Sequence, residues 1–187
     1  MGKPFTPSID QTVSPANDGT TLRVAFPQAK VTKAATNLTT EEAKPTPTLS
    51  IAVAALKSAP STKYIVACLD LDAPFPSFNF MSPILHGLHT DLVAGAADGD
   101  GFAPLEGGIE WTVPYVGPGP PKPSSPHRYI FMVFEQPEGL GAAEIKSRLG
   151  FGEEVGIWPR IRWEEETFEK KLGLGKVLAT TYYLTRA

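Results

Sequence analysis

Two short segments hold most of the residues in this chain that are able to do chemistry. The first, Asp70-Leu71-Asp72-Ala73-Pro74, closes an apolar run. The second, Tyr115-Val116-Gly117-Pro118-Gly119-Pro120-Pro121, is followed soon by His127-Arg128-Tyr129 and another apolar run. Asp70 and Asp72 are two residues apart, so their carboxylates share a side if the strand continues through them. Carboxylates that close resist joint ionisation and titrate as a coupled unit, as acid–base work requires. The structural alternative is that both act as turn caps, accepting from backbone N–H groups two residues onward. His86 and His127 fall in or between these segments.

The proline-rich stretch is informative through what it lacks. Pro118, Pro120 and Pro121 have no N–H, so Gly117 and Gly119 supply most of the free donors there. A stiff loop keeps such donors oriented at little entropic cost, which suits an anion. A plain surface turn would have the same composition. His127 and Tyr129 lie two apart and share one face of a strand, while Arg128 faces elsewhere, where an ion pair is its expected role. Either histidine would also serve as a satisfied structural group.

Other chemistries find less support. His86 and His89 are three apart, on opposite faces of a regular strand, and no Cys pair or His-Glu helix motif accompanies them. No metal and no cofactor are expected. A nucleophile triad is not expected either: there is no Gly-x-Ser-x-Gly elbow, and Cys68 sits inside the apolar run Tyr64 to Leu69 as a buried small side chain.

The elements that must position these residues are mostly strands. Thr21 to Phe26, Leu49 to Ala54, Tyr64 to Leu69 and Val177 to Leu184 read as strands, and Ile84 to Val93 as a strand pair or one long strand. In Arg128 to Phe134, Tyr129, Phe131 and Val133 point one way and Ile130, Met132 and Phe134 the other. Ala34 to Pro47 reads as a long surface connection, and Ala94 to Gly108 as an exposed excursion. Helices are predicted over Ala142 to Leu149 and from about Trp163 to Leu172. In the second, Glu164 to Glu166 and Lys170-Lys171 complement the helix dipole, Phe168 and Leu172 form a buried stripe, and Gly173 is the stop.

With 187 residues, 42% of them apolar, and a net charge of −3, the chain reads as one globular domain. Residues 1–20, rich in Pro, Ser and Thr, read as a loosely ordered arm. No basic block points to nucleic acid, and no stretch approaches membrane-spanning length. A lone cysteine fits an intracellular, cytoplasmic setting.

The two motifs together resemble those of the phosphatidylethanolamine-binding protein family. That family's Asp-Pro-Asp-Ala-Pro signature appears as Asp70 to Pro74. Its Tyr-x-Gly-Pro-x-Pro-Pro signature and the His-Arg-Tyr that follows appear as Tyr115 to Pro121 and His127 to Tyr129. The resemblance implies a central β-sheet with a smaller sheet on one side and peripheral C-terminal helices on the other. It also implies a pocket for phosphate-bearing or other small anionic groups, lined by Asp70, Asp72, His86, His127 and Tyr129. Gly117 and Gly119 would donate backbone N–H there, and Tyr115 opens the loop that carries them. Three departures stand out: Leu71 replaces a proline, Gly87 replaces a large aromatic and would widen the pocket, and Ser125-Pro126 replaces a glycine and stiffens the mouth.

Three functions follow as expectations. One is a binding module for phospholipid-headgroup-like anions. Another is a cofactor-independent acid–base enzyme, an isomerase, cyclase or dehydratase, with Asp70, His86 and His127 catalytic. The last is an inhibitor of a kinase or a serine carboxypeptidase, acting through its surface and N-terminal arm, as family members do.

Overall fold

The computed structural model describes residues 21–56, 62–107, 110–163 and 165–187. The expected arm over residues 1–20 and the first acidic residue of the last helix, Glu164, lie outside the described residues. Among the described residues, nine strands run β1 (Leu22–Ala25), β2 (Lys30–Val31), β3 (Thr36–Asn37), β4 (Thr48–Ala52), β5 (Tyr64–Asp70), β6 (Ile84–Ala94), β7 (Phe102–Glu106), β8 (His127–Glu135) and β9 (Ala179–Thr185). The helices are α1 (Thr40–Ala43), α2 (Ala142–Leu149) and α3 (Glu165–Leu172).

Hydrogen bonding follows the order β2-β1-β4-β7-β6-β5-β8-β9-β3. The link between β7 and β6 is short, pairing Val93 with Glu106 and Ala94 with Leu105. Beyond this corner the β2-β1-β4-β7 section lies over the larger sheet. Leu22, Val24, Leu49 and Ile51 share one core with Val66, Cys68, Tyr129, Phe131 and Tyr183. Ile65, Ala67, Leu69, Ile130, Met132 and Phe134 face a second core with Ile145, Trp163, Phe168 and Leu172 from the helical side. The alternation read from Arg128 to Phe134 is therefore the alternation between two cores, and β5, buried along its whole length, divides them. The expected layering of large sheet, smaller sheet and C-terminal helices is the one observed.

Two expectations fail. The excursion at Ala94 to Gly108 contains β7, whose Phe102, Ala103 and Leu105 are buried. Its alternation is only five residues long and sits behind a Gly- and Asp-rich turn, which masks it. The connection at Ala34 to Pro47 holds β3, paired in parallel with β9, and α1. A capping box starts α1: the Thr39 hydroxyl accepts from Glu42 N–H, and the Glu42 carboxylate accepts from Thr39 N–H. That Thr-x-x-Glu spacing is visible in the sequence.

Candidate functional site

The β5, β6 and β8 ends meet where Asp70 pairs in register with Tyr129 on one side and Ile84 on the other. His127, at the first position of β8, places Nδ1 2.9 Å from Asp70 Oδ2. Both groups are almost fully buried, at 1% and 3% exposure. With the carboxylate accepting, Nδ1 holds a proton and Nε2 points onward to the Ser124 hydroxyl, 3.0 Å away. The Ser124 hydroxyl also lies 2.9 Å from the Ser125 carbonyl, a second acceptor.

His86 arrives by a different device. Cys68 pairs with Gly87 and Leu69 with Leu85, so His86 has no partner on β5 and forms a β-bulge. A bulge re-aims a side chain, and here it turns the His86 ring edge-on to Tyr129, at a 5.0 Å centroid distance. It also undoes the expected opposition of His86 and His89. His89 packs on Trp111, at 5.0 Å, so both imidazoles lie on the side of the core that holds Tyr129 and Trp111. His86 Nδ1 donates to the Val116 carbonyl at 2.7 Å, and Val116 N–H returns a bond to the His86 carbonyl. Burial holds the His86 pKa below its ordinary value, Asp70 and the Val116 carbonyl oppose that shift, and Arg160 adds to it. His86 is therefore neutral at neutral pH, with its proton on Nδ1.

Tyr129 completes the cluster. Its ring stacks against His127 at 6.3 Å and against Tyr183 at 5.1 Å. Its hydroxyl is buried and makes no hydrogen bond among the described residues. Burial, with Asp70 nearby, pushes its pKa far up, so it stays a neutral donor.

The structure does not put Asp72 on a shared face with Asp70. β5 ends at Asp70, and Asp70 Oδ1 accepts from Asp72 N–H at 2.8 Å, the capping role. The chain turns there, and both Asp72 oxygens are taken by Arg128: Nε and the backbone N–H reach Oδ2 at 2.8 Å, and Nη2 reaches Oδ1 at 2.6 Å. Arg128 thus has its expected pairing role, and it engages both oxygens of Asp72.

The glycines also divide. A Cβ at Gly117 would lie 2.7 Å from Lys44 Cα and 2.9 Å from Lys44 O, so the loop needs glycine there to pack on the end of α1. At Gly119 a Cβ would meet nothing within 4 Å, and the Gly119 N–H opposes the rise of the Tyr129 pKa. The Tyr115 hydroxyl donates to the Ala43 carbonyl and lies 3.2 Å from the Tyr183 hydroxyl, which anchors the same loop.

Gly87 does not widen the site. A Cβ there would stand 2.6 Å from Trp111 Cζ3, so the indole fills the space that the missing side chain leaves.

Besides Ser124, the site holds another residue that went unread in the sequence: Arg160, at 3% exposure. Its Nη1 donates to the carbonyls of Leu85, His86 and Pro114, and its Nε and Nη2 to that of Val155. It ties the bulge to the Pro114–Val116 segment and sets a positive charge behind His86. No motif surrounds it, and a lone arginine between Trp158-Pro159 and Ile161 carries no distinguishing pattern. Among the described residues no three His, Cys, Asp or Glu side chains converge as metal ligands.

The chain matches the family described as "Phosphatidylethanolamine-binding protein" over residues 13–180, and it belongs to that family. It is 28% identical over 115 residues to the carboxypeptidase Y inhibitor of Saccharomyces cerevisiae, covering 55% of this chain and 52% of that one. It is also 28% identical over 123 residues to phomoidride biosynthesis cluster protein N of Talaromyces stipitatus, covering 66% and 59%. These alignments span little more than half the length of either relative. Among solved structures, carboxypeptidase Y inhibitor complexed with its cognate proteinase superposes with a TM-score of 0.68 at 21% identity, over 89% of this chain and 82% of that one. A phosphatidylethanolamine-binding protein from Plasmodium vivax gives 0.62 at 14% identity, over 96% and 93%.

Proposed function

We propose that the Asp70–His86–His127–Tyr129 cluster binds a small phosphate-bearing anion in its singly protonated form. The observation that carries this is the state of His86. A neutral imidazole whose proton is committed to Val116 presents Nε2 as an acceptor, so a ligand must bring a proton of its own. A phosphate monoester monoanion does so: its P–O–H donates to His86, while its other oxygens accept from the Tyr129 hydroxyl and the Gly119 N–H. The Arg160 charge behind His86 offsets the carboxylate of Asp70 across the site. Losing the second phosphate proton, at a pKa of about 6, removes the donor and sets a dianion facing Asp70. Calorimetric titration of methyl phosphate from mildly acid to mildly alkaline pH tests this. Affinity should fall as pH rises, and a flat or rising affinity overturns the reading.

The same neutral His86 favours a second reading, an acid–base enzyme in which Nε2 abstracts a proton and Tyr129 holds the charge that develops. The similarity to a biosynthesis cluster protein supports it. Turnover of a small metabolite that is lost in His86→Asn would establish it, and unchanged turnover would remove it.

A protein partner is supported by the likeness to a carboxypeptidase Y inhibitor and by exposed Phe78, Phe80 and Trp158, at 65%, 49% and 80%. Cys68, buried and with its pKa pushed up by that burial, is inert and fits a reducing cytoplasmic setting.

A further inference from the structure

We propose that Ser124, His127 and Asp70 form a nucleophilic centre that cleaves small carboxylic esters. The proposal shares Asp70, His127 and Tyr129 with the anion reading, but it needs no phosphate and no role for His86. The three groups form an unbroken relay: Ser124 Oγ is 3.0 Å from His127 Nε2, and His127 Nδ1 is 2.9 Å from Asp70 Oδ2. A serine hydroxyl becomes a nucleophile when a base can take its proton and a third group fixes that base's tautomer. Asp70 meets the last requirement at 3% exposure, itself held by Asp72 N–H, so His127 has one orientation. His127 is buried at 1% exposure, while Ser124 is half-buried at the rim, where a substrate can reach it. The relay is local in chain and unrelated to any strand-to-helix elbow, because a three-residue step from Ser124 folds the hydroxyl back onto the imidazole.

The reaction balances with water as the only co-reactant. Ser124 Oγ attacks the ester carbonyl carbon, and its proton passes to His127 Nε2. The carbon–alkoxide bond then breaks, and His127 returns that proton to the departing alcohol. Water attacks the acyl-serine, again through His127, which releases the acid and restores the Ser124 hydroxyl. The buried Tyr129 hydroxyl, unpaired and on the same face of β8 as His127, is a donor for the oxyanion. In the resting protein the Ser124 hydrogen chooses between His127 and the Ser125 carbonyl at 2.9 Å, so only the rotamer facing His127 is competent.

A fluorophosphonate probe tests the centre without a known substrate: Oγ attacks phosphorus and fluoride leaves. Intact-mass analysis of the folded protein should show one adduct, mapped to Ser124 by peptide sequencing and absent after urea denaturation. Ser124→Ala should abolish labelling. His127→Gln, and Asp70→Asn as a milder variant that keeps the side-chain volume, should slow it at least tenfold, with near-native circular dichroism spectra. p-Nitrophenyl acetate hydrolysis should fall in the same three variants. No adduct on the folded wild-type protein, an adduct on another residue, or labelling of Ser124 that survives denaturation would each overturn the assignment.

Discussion

The Trp111 indole occupies the volume that a side chain at Gly87 would fill, with Cζ3 and Cε3 2.6 and 2.7 Å from an ideal Cβ. Where the family places an aromatic beside the site histidine, this chain supplies one from a separate loop. Gly87→Ala forces the indole aside and should destabilise by about 1–3 kcal/mol, the usual cost of overpacking. Shrinking the ring removes the clash, so Gly87→Ala with Trp111→Ala should lose less than the sum of the two single variants. Urea unfolding of the four proteins checks this, and simple additivity contradicts the packing described.

Asp72 and Arg128 make a bidentate pair in which the carboxylate is buried and the guanidinium 31% exposed. Opposite-charge bonding to Asp72 raises the Arg128 pKa against the desolvation that lowers it. Asp72→Ala should cost about 3 kcal/mol, the low end for breaking a buried pair, because Arg128 keeps some water. Affinity for methyl phosphate should stay within about twofold, since the Asp72 oxygens are engaged by Arg128. A selective loss of binding with unchanged unfolding would return Asp72 to the ligand pocket.

How much was legible follows element by element. The alternation in β8, the helix over Ala142–Leu149 and the Gly173 stop, at φ 67°, are local patterns, and local patterns survive folding. The meeting of Asp70 with His127 was legible only because two motifs were read together. His86 was misplaced relative to His89 because a bulge inserts one residue into one partner of a ladder, and no single strand announces it. Asp72 was misplaced because its choice between Asp70's side and Arg128 depends on where the strand stops. Ser124 and Arg160 were missed for one reason: their partners are an imidazole and four carbonyls that only the fold brings near.

Burial keeps His86 and His89 less basic than an ordinary imidazole, whose pKa is about 6.5. Below that value the unfolded chain takes up protons that the native chain does not. Stability is therefore complete above pH 6.5 and falls as pH drops toward the folded pKa values. His86→Asn should flatten part of that dependence in urea midpoints, and adding His89→Asn the rest. A dependence unchanged in the double variant contradicts the assignment.

Arg160 serves four carbonyls, so Arg160→Met removes a donor from each and should cost at least about 2 kcal/mol, although the His86 carbonyl keeps its bond from Val116 N–H. Loss of the cation should also raise the His86 pKa toward 6.5, because Arg160 is one of the influences holding it down. An imidazole NMR titration reads this shift directly, and an unchanged or lower value contradicts the electrostatic role.

Ring-nitrogen NMR during addition of methyl phosphate reports on the pocket at the atom that matters. With His86 held as the Nδ1–H tautomer, its bare Nε2 resonance should move toward the protonated position as ligand saturates, while His89 stays still. An Nε2 signal that ignores the ligand, or a resting His86 already protonated at that nitrogen, would contradict the binding account.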